Sequence, residues 1–258
     1  MKFVFPSKVE GWLTREEGRL LFKLARLNPY LGSVVELGSF QGRSTVCLAQ
    51  GSKSRGGGKV FTVDKFVGDD IIGPYSDFYP QFKQNIKRYD LEDNIVVFRG
   101  NSLEIVKKWL GQIRLLFIDA SHHYKDVSVD FHTWEKYLVP GGIIVFHDSI
   151  CWPGVYRLVC EVIASGRFKN FKTYLKPISP INGITYASKN EKGMITPRVE
   201  RFQALLQFKI LSLPKLSDRI KQTVKDRGEA DIWFKILGSF ANLWKSLRGK
   251  SYFLTCCL

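Results

Sequence analysis

The chain has few of the features that would place it in several large protein classes. Its 258 residues include five cysteines, Cys47, Cys151, Cys160, Cys256 and Cys257. That odd number, without paired spacing or a matching histidine pattern, argues against both a disulfide framework and a structural zinc site. No apolar run is long enough to span a bilayer. The opening Met1-Lys2-Phe3-Val4-Phe5-Pro6 lacks the apolar core and small-residue cleavage site of a secretory signal, so a cytoplasmic protein is the expectation. There is no internal repeat and no low-complexity tract. Acids are scarce beside bases: 24 Asp and Glu against 39 Lys and Arg, for a formal charge of +15. Such an excess suits nucleic acid, an anionic membrane surface or acidic small molecules, and by itself selects none of them. Arginines interleaved with aromatics on a recognisable RNA-binding module are also missing, so nucleic acid is not the expected partner.

What is present centres on residues 33–45. The apolar run Val34-Val35-Glu36-Leu37 ends in an acid, Gly38 and Gly42 follow four residues apart, and Ser44-Thr45 leads into the helix-like Val46-Cys47-Leu48-Ala49. This pattern reads as strand, tight turn and helix. Glycines at such a turn let backbone approach a ligand closely, and the N–H groups that open the helix face it.

Around this stretch the chain alternates helical and strand patterns. Thr14 and Glu17 have capping-box spacing, Leu20, Leu21, Leu24 and Leu27 recur at helical period, and Asn28-Pro29 stops the helix. An apolar strand ends at Asp64, 22 residues beyond Gly42, which suits an acid that accepts hydrogen bonds from a ribose. Residues 66–80 mix glycines, prolines, acids and aromatics and are a candidate lid, or equally a surface excursion pinned by its aromatics. Further strands are expected at 94–99, 113–118, 143–146, 171–175 and 183–187. Ser102 opens a helix after the first of these, and Asp119 and Asp148 mark the tips of the next two. Asp119 is followed by Ala120-Ser121-His122-His123-Tyr124, and Asp148 is preceded by His147. Ligands in open α/β sheets bind beyond the carboxyl ends of the strands, so Asp64, Asp119, His122, His147 and Asp148 should converge on one crevice.

Several of these motifs together resemble the class I S-adenosylmethionine-dependent methyltransferases. They are Glu36-x-Gly38-x-x-x-Gly42-x-Ser44, Asp64, Phe117-Ile118-Asp119-x-Ser121-His122-x-Tyr124, Pro140-Gly141-Gly142 and Phe146-His147-Asp148. The Asp-x-Ser-His-x-Tyr and His-Asp elements look most like the branch containing the macrocin-type sugar O-methyltransferases. The resemblance covers about residues 10–190. It implies a doubly wound α/β fold of Rossmann-like type, with a mostly parallel seven-stranded sheet whose last strand is antiparallel. It also implies S-adenosylmethionine over Glu36, Gly38, Ser39, Phe40, Gly42, Ser44 and Thr45, with Asp64 on the ribose hydroxyls and Ser102 near the adenine.

The expected reaction moves a methyl group to a hydroxyl of a small polyhydroxylated acceptor, a sugar or glycosylated metabolite. Asp119, His122 and His147 are the catalytic candidates. Either Asp119 and Asp148 hold a divalent cation, magnesium by expectation, or a histidine acts directly as general base. An RNA methyltransferase would keep this fold and change the acceptor. A nicotinamide-dependent oxidoreductase would need Gly-x-Gly-x-x-Gly, which the 38–42 turn does not supply.

Residues 1–190 are therefore read as the catalytic domain and 191–258 as a basic, amphipathic helical extension. From Met194 onward there are 12 basic and 5 acidic residues. Ile232, Trp233, Ile236, Leu237, Phe240, Leu243, Trp244 and Leu247 share a helical face flanked by cations. That face suits peripheral contact with an anionic membrane, and equally packing on the catalytic domain or in a homo-oligomer.

Overall fold

The computed structural model describes residues 2–68, 76–175 and 183–212. One compact unit runs Met1–Lys209. The second apolar stripe of the extension, and the centre of the 66–80 segment, lie outside the described residues. No helix among the described residues is long and apolar enough to cross a membrane.

Seven strands form one sheet in the order β3-β2-β1-β4-β5-β7-β6. They are β1 (Ser33–Leu37), β2 (Val60–Asp64), β3 (Ile95–Arg99), β4 (Ile113–Ile118), β5 (Leu138–Phe146), β6 (Phe168–Leu175) and β7 (Gly183–Lys189). The pairings from β3 through β5 are parallel, whereas β7 runs antiparallel to both its neighbours, β5 and β6. The sheet is thus seven-stranded with its last strand reversed, as the resemblance implies. The order differs from the 3-2-1-4-5-6 of the dinucleotide-binding sheet, because the reversed β7 lies between β5 and β6.

Two apolar layers enclose the sheet. On one face Val34, Val60, Leu115, Phe117 and Val145 pack under Leu21 and Ala25 of α1 (Arg15–Leu27), Val46 and Leu48 of α2 (Arg43–Ser54), and Phe82 and Ile86 of α3 (Tyr79–Arg88). On the other, Val35, Leu37, Leu116, Ile118, Ile144 and Phe146 meet Val106 of α4 (Ser102–Val106), Phe131 and Trp134 of α5 (Tyr124–Trp134), and Leu158 and Val159 of α6 (Pro153–Ser165). Successive strand side chains point to opposite faces, so one apolar run can supply both layers. Helix α7 (Arg198–Leu211) joins the second layer through Phe208, which is buried and stacks on Tyr156 at 5.0 Å.

The capping box of α1 forms as its spacing predicts: the Thr14 side chain accepts from the Glu17 N–H, and the Glu17 carboxylate accepts from the Thr14 N–H. Two local expectations are refined. The cap of α4 is Asn101, whose side chain accepts from the Leu103 N–H at 2.9 Å, with Ser102 as the first helical residue. Strand β5 begins before Pro140-Gly141-Gly142, because Leu138 pairs with Ile113 ahead of a register shift that absorbs the irregular backbone.

Candidate active site

The turn after β1 is held open by backbone conformation. Gly38 and Gly42 have φ of +85° and +94°, and a Cβ on Gly38 would overlap the Asp119 backbone carbonyl. Glycine is therefore required where the tips of β1 and β4 approach. Phe40 has φ +47° without being glycine, and its ring lies between Trp12 (5.4 Å) and Phe78 (4.7 Å). Arg43, the first residue of α2, donates to the carbonyls of Val9 (2.6 Å), Gly11 and Leu13 (3.1 Å), which ties the segment before α1 to the turn.

Asp64 closes the same turn. Its Oδ2 accepts from the N–H groups of Ser39 (2.6 Å) and Phe40 (2.9 Å), and its Oδ1 from the Phe66 N–H at 2.7 Å. A carboxylate offers about four lone-pair sites, so Oδ1 keeps capacity for a ligand hydroxyl. Glu36 is fully buried. Its Oε2 accepts from Thr45 (2.5 Å) and Thr62 (3.0 Å), while Oε1 is among the buried atoms without a partner. Burial raises its carboxyl to about 7, against the opposing hydrogen bonds of Ser44, Thr45 and Thr62. Glu36, Ser44 and Thr45 thus fasten β1 to α2 beneath the turn, and Gly38, Ser39, Phe40 and Gly42 form its upper rim.

The tips of β4 and β5 bring the acids and histidines together. His147 Nδ1 lies 3.0 Å from Asp119 Oδ1 and 3.3 Å from Asp148 Oδ2, and His122 Nε2 lies 3.0 Å from the same Asp148 oxygen. Asp148 has φ +52°, a conformation that costs a non-glycine residue about 1 kcal/mol and that Asp tolerates better than most. Burial would raise its carboxyl, but hydrogen bonds from His122 and His147 outweigh that and hold it well below the ordinary range. Burial would lower His147, yet Asp119, Asp148 and Glu17 hold it well above its ordinary value. Asp119 is raised, by burial first and then by the Asp148 charge.

The four differ in exposure. The His147 side chain is 2% exposed and sits behind the carboxylates, whereas that of His122 is 29% and that of Asp119 23% exposed. His122 is therefore the imidazole of the pair that is open to solvent. Its ring stacks on Trp152 at 4.3 Å with 15° between planes. One ligand atom each from Asp119, His122 and Asp148 lies within 4.8 Å of the others, a set that could hold a cation. Two carboxylates and an imidazole suit manganese, iron or zinc better than magnesium, which prefers an all-oxygen shell.

Other residues stand apart. Ser102 donates to the buried Asp130, so its hydroxyl is already engaged. His123 and His132 are exposed. The ends of the 66–80 segment meet in a short antiparallel bridge between Val67 and Asp77, and Phe66 is buried against Tyr79 and Phe82. Two residues here escape local sequence reading. Glu17 is visible only as a helix cap, and Trp152 only as an aromatic ahead of a helix.

Residues 35–149 match a family described as "Methyltransferase domain". The order and direction of the seven strands are those of a Rossmann-like methyltransferase fold. The chain is 27% identical over 161 residues to protein R132 of Acanthamoeba polyphaga mimivirus, a match covering 54% of this chain and 63% of that one. It is 28% identical over 117 residues to O-methyltransferase hkm8 of Aspergillus hancockii, covering 45% and 42%. In both cases the match spans less than two thirds of the relative's length. The O-methyltransferase of Bacillus cereus in complex with SAH superposes with a TM-score of 0.56 at 19% identity, covering 71% of this chain and 86% of that chain.

Proposed function

We propose that this methyltransferase moves the methyl group of S-adenosylmethionine to a hydroxyl oxygen of a small polyhydroxylated acceptor, a sugar or glycosylated metabolite. The observation that carries the reading is the solvent-reaching His122, hydrogen-bonded at 3.0 Å to Asp148 beside the tip of β4. The hkm8 relative is an O-methyltransferase, and the Bacillus cereus neighbour holds the demethylated cofactor, which supports the same donor and element of transfer.

When bound, the cofactor supplies an activated methyl group together with its own leaving group. The protein has to align the acceptor oxygen and remove its proton. His122 is placed to take that proton, with Asp148 orienting the ring and stabilising the imidazolium that forms. Asp119 is the second open group at the crevice and is suited to accept a hydrogen bond from an acceptor hydroxyl. His147 holds the two carboxylates from behind. In the alternative route, a divalent cation would be held by Asp119, His122 and Asp148 and would favour the deprotonated acceptor in place of His122 acting as base. Methyl transfer then belongs to residues 1–190, and the apolar stripe at 232–247 to contact with a membrane, a second subunit or the catalytic domain.

Calorimetric titration of the full chain with S-adenosylmethionine and, separately, with a reduced nicotinamide dinucleotide tests the donor. Binding of the first alone is expected; binding of the second alone would overturn the reading. Turnover measured with and without a chelator then decides on the cation, since undiminished turnover in chelator eliminates it.

A further inference from the structure

Glu17 belongs to a helix cap, yet it is placed unlike one. A capping-box glutamate at a helix start usually lies at the surface, as its neighbour Glu16 does here, whereas Glu17 is 0% exposed. Gly18 makes this possible: any side chain there would run into Cys47 and Phe5, so the first turn of α1 sits close against α2. Thr14 fixes one carboxylate oxygen, with its hydroxyl at 2.6 Å and its N–H at 2.8 Å from Oε2. The other oxygen, Oε1, has no hydrogen-bond partner and faces His147 Nε2 at 3.9 Å, a nitrogen that is likewise buried without one. Leaving a buried polar atom unpaired is destabilising, so a fold that only needed a cap would place this carboxylate in water.

We propose that Glu17 is a positioning residue for the acceptor side of the site. It fixes the ring of His147, which in turn sets Asp119 and Asp148, and Asp148 holds the open imidazole of His122. The line from Thr14 through Glu17, His147 and Asp148 to His122 connects the first turn of α1 with the group that meets the acceptor. Arg43 fastens the residues just ahead of that turn to the cofactor side, so one helix start registers the two halves of the crevice. This inference rests on the assignment of His122 and Asp148 to methyl transfer.

The test compares Glu17→Gln with Glu16→Gln and Thr14→Ala in the full chain. Three readouts are taken: imidazole nitrogen resonances by NMR, with His147 identified through His147→Gln, the steady-state constants, and cofactor affinity by calorimetry. Glu17→Gln is expected to shift the His147 resonances and to lower kcat about tenfold or more. Acceptor KM and cofactor Kd should stay within about twofold, the pattern of an interaction that matters to the chemical step. Glu16→Gln should change neither resonances nor kcat, and Thr14→Ala, which removes one of the two bonds holding Glu17 Oε2, should lower Tm and shift the His147 resonances less than Glu17→Gln does. If Glu17→Gln unfolds, Glu17→Asp is read in the same way, with shifted His147 resonances expected. Wild-type His147 resonances and kcat in a folded Glu17 variant would overturn the proposal and leave Glu17 a cap. If the wild-type chain transfers no methyl group at all, the assigned function fails, and the His147 resonances still decide the role of Glu17.

Discussion

Oδ2 of Asp148 lies 3.0 Å from Nε2 of His122 and 3.3 Å from Nδ1 of His147. One carboxylate oxygen therefore joins a solvent-exposed imidazole to a buried one. Replacing Asp148 with Asn keeps the shape and removes the charge that orients His122. Steady-state assays of Asp148→Asn should show kcat down by about 10²- to 10³-fold, with cofactor affinity by calorimetry nearly unchanged. A loss confined to cofactor affinity would move Asp148 out of the acceptor site.

Trp152 covers one face of His122 and is itself 38% exposed. An aromatic contact of this kind contributes about 0.5–1.5 kcal/mol and restricts the ring to one plane. Trp152→Phe should preserve most activity, whereas Trp152→Ala should lower kcat/KM about tenfold with little change in Tm. Equal activity in the two variants would show that the stack does not orient His122.

Stability should depend on Glu36. Its carboxyl binds a proton more tightly folded, at about 7, than at its ordinary value of 4.5. The folded state is then favoured most at low pH, and that advantage is lost as pH rises through the interval between those values. The loss is ~3 kcal/mol at most. Denaturant unfolding across this range should show Glu36→Gln with a flatter pH profile than wild type, and with higher stability above pH 7. Parallel profiles would mean that Glu36 does not carry the proton.

Gly38 should tolerate no side chain. Its φ of +85° and the adjacent Asp119 carbonyl both oppose a Cβ. Gly38→Ala is expected to cost about 2–4 kcal/mol by thermal unfolding and to abolish cofactor binding by calorimetry. A Gly38→Ala protein with wild-type Tm and cofactor affinity would show that the turn relaxes at little cost.

Much of this arrangement is legible in the sequence because strands of a buried parallel sheet carry their own signals. The run Ile113-Arg114-Leu115-Leu116-Phe117-Ile118 declares β4 despite Arg114, whose guanidinium is buried and donates to the Ala25 carbonyl at 2.7 Å. The strand-end acids then fall into one crevice because parallel strands present their carboxyl ends on the same side, which is a consequence of topology. What the sequence hides depends on packing between distant elements. Nothing in Thr14-Arg15-Glu16-Glu17 says that the cap carboxylate will lie beneath the tip of β5, since that follows from the tight seating of Gly18 on Cys47. The burial of His147 behind Asp119 and the exposure of His122 are equally invisible in a pattern that presents both as histidines beside acids. Strand β6 starts at Phe168, earlier than its apolar pattern suggests, and a bulge between Lys169 and Lys172 with Asn170 at φ +57° breaks the alternation that would have marked it.

Carbon-13 NMR of the product distinguishes methyl transfer to oxygen from transfer to any other atom. The full chain is incubated with S-adenosylmethionine labelled at the methyl carbon and with a panel of polyhydroxylated small molecules, beside RNA and a no-acceptor control. The result expected is a new labelled methyl resonance bonded to oxygen in a small-molecule fraction, greatly reduced for His122→Gln. A labelled methyl on nitrogen or carbon, label on RNA alone, or no labelled product from any acceptor would contradict it.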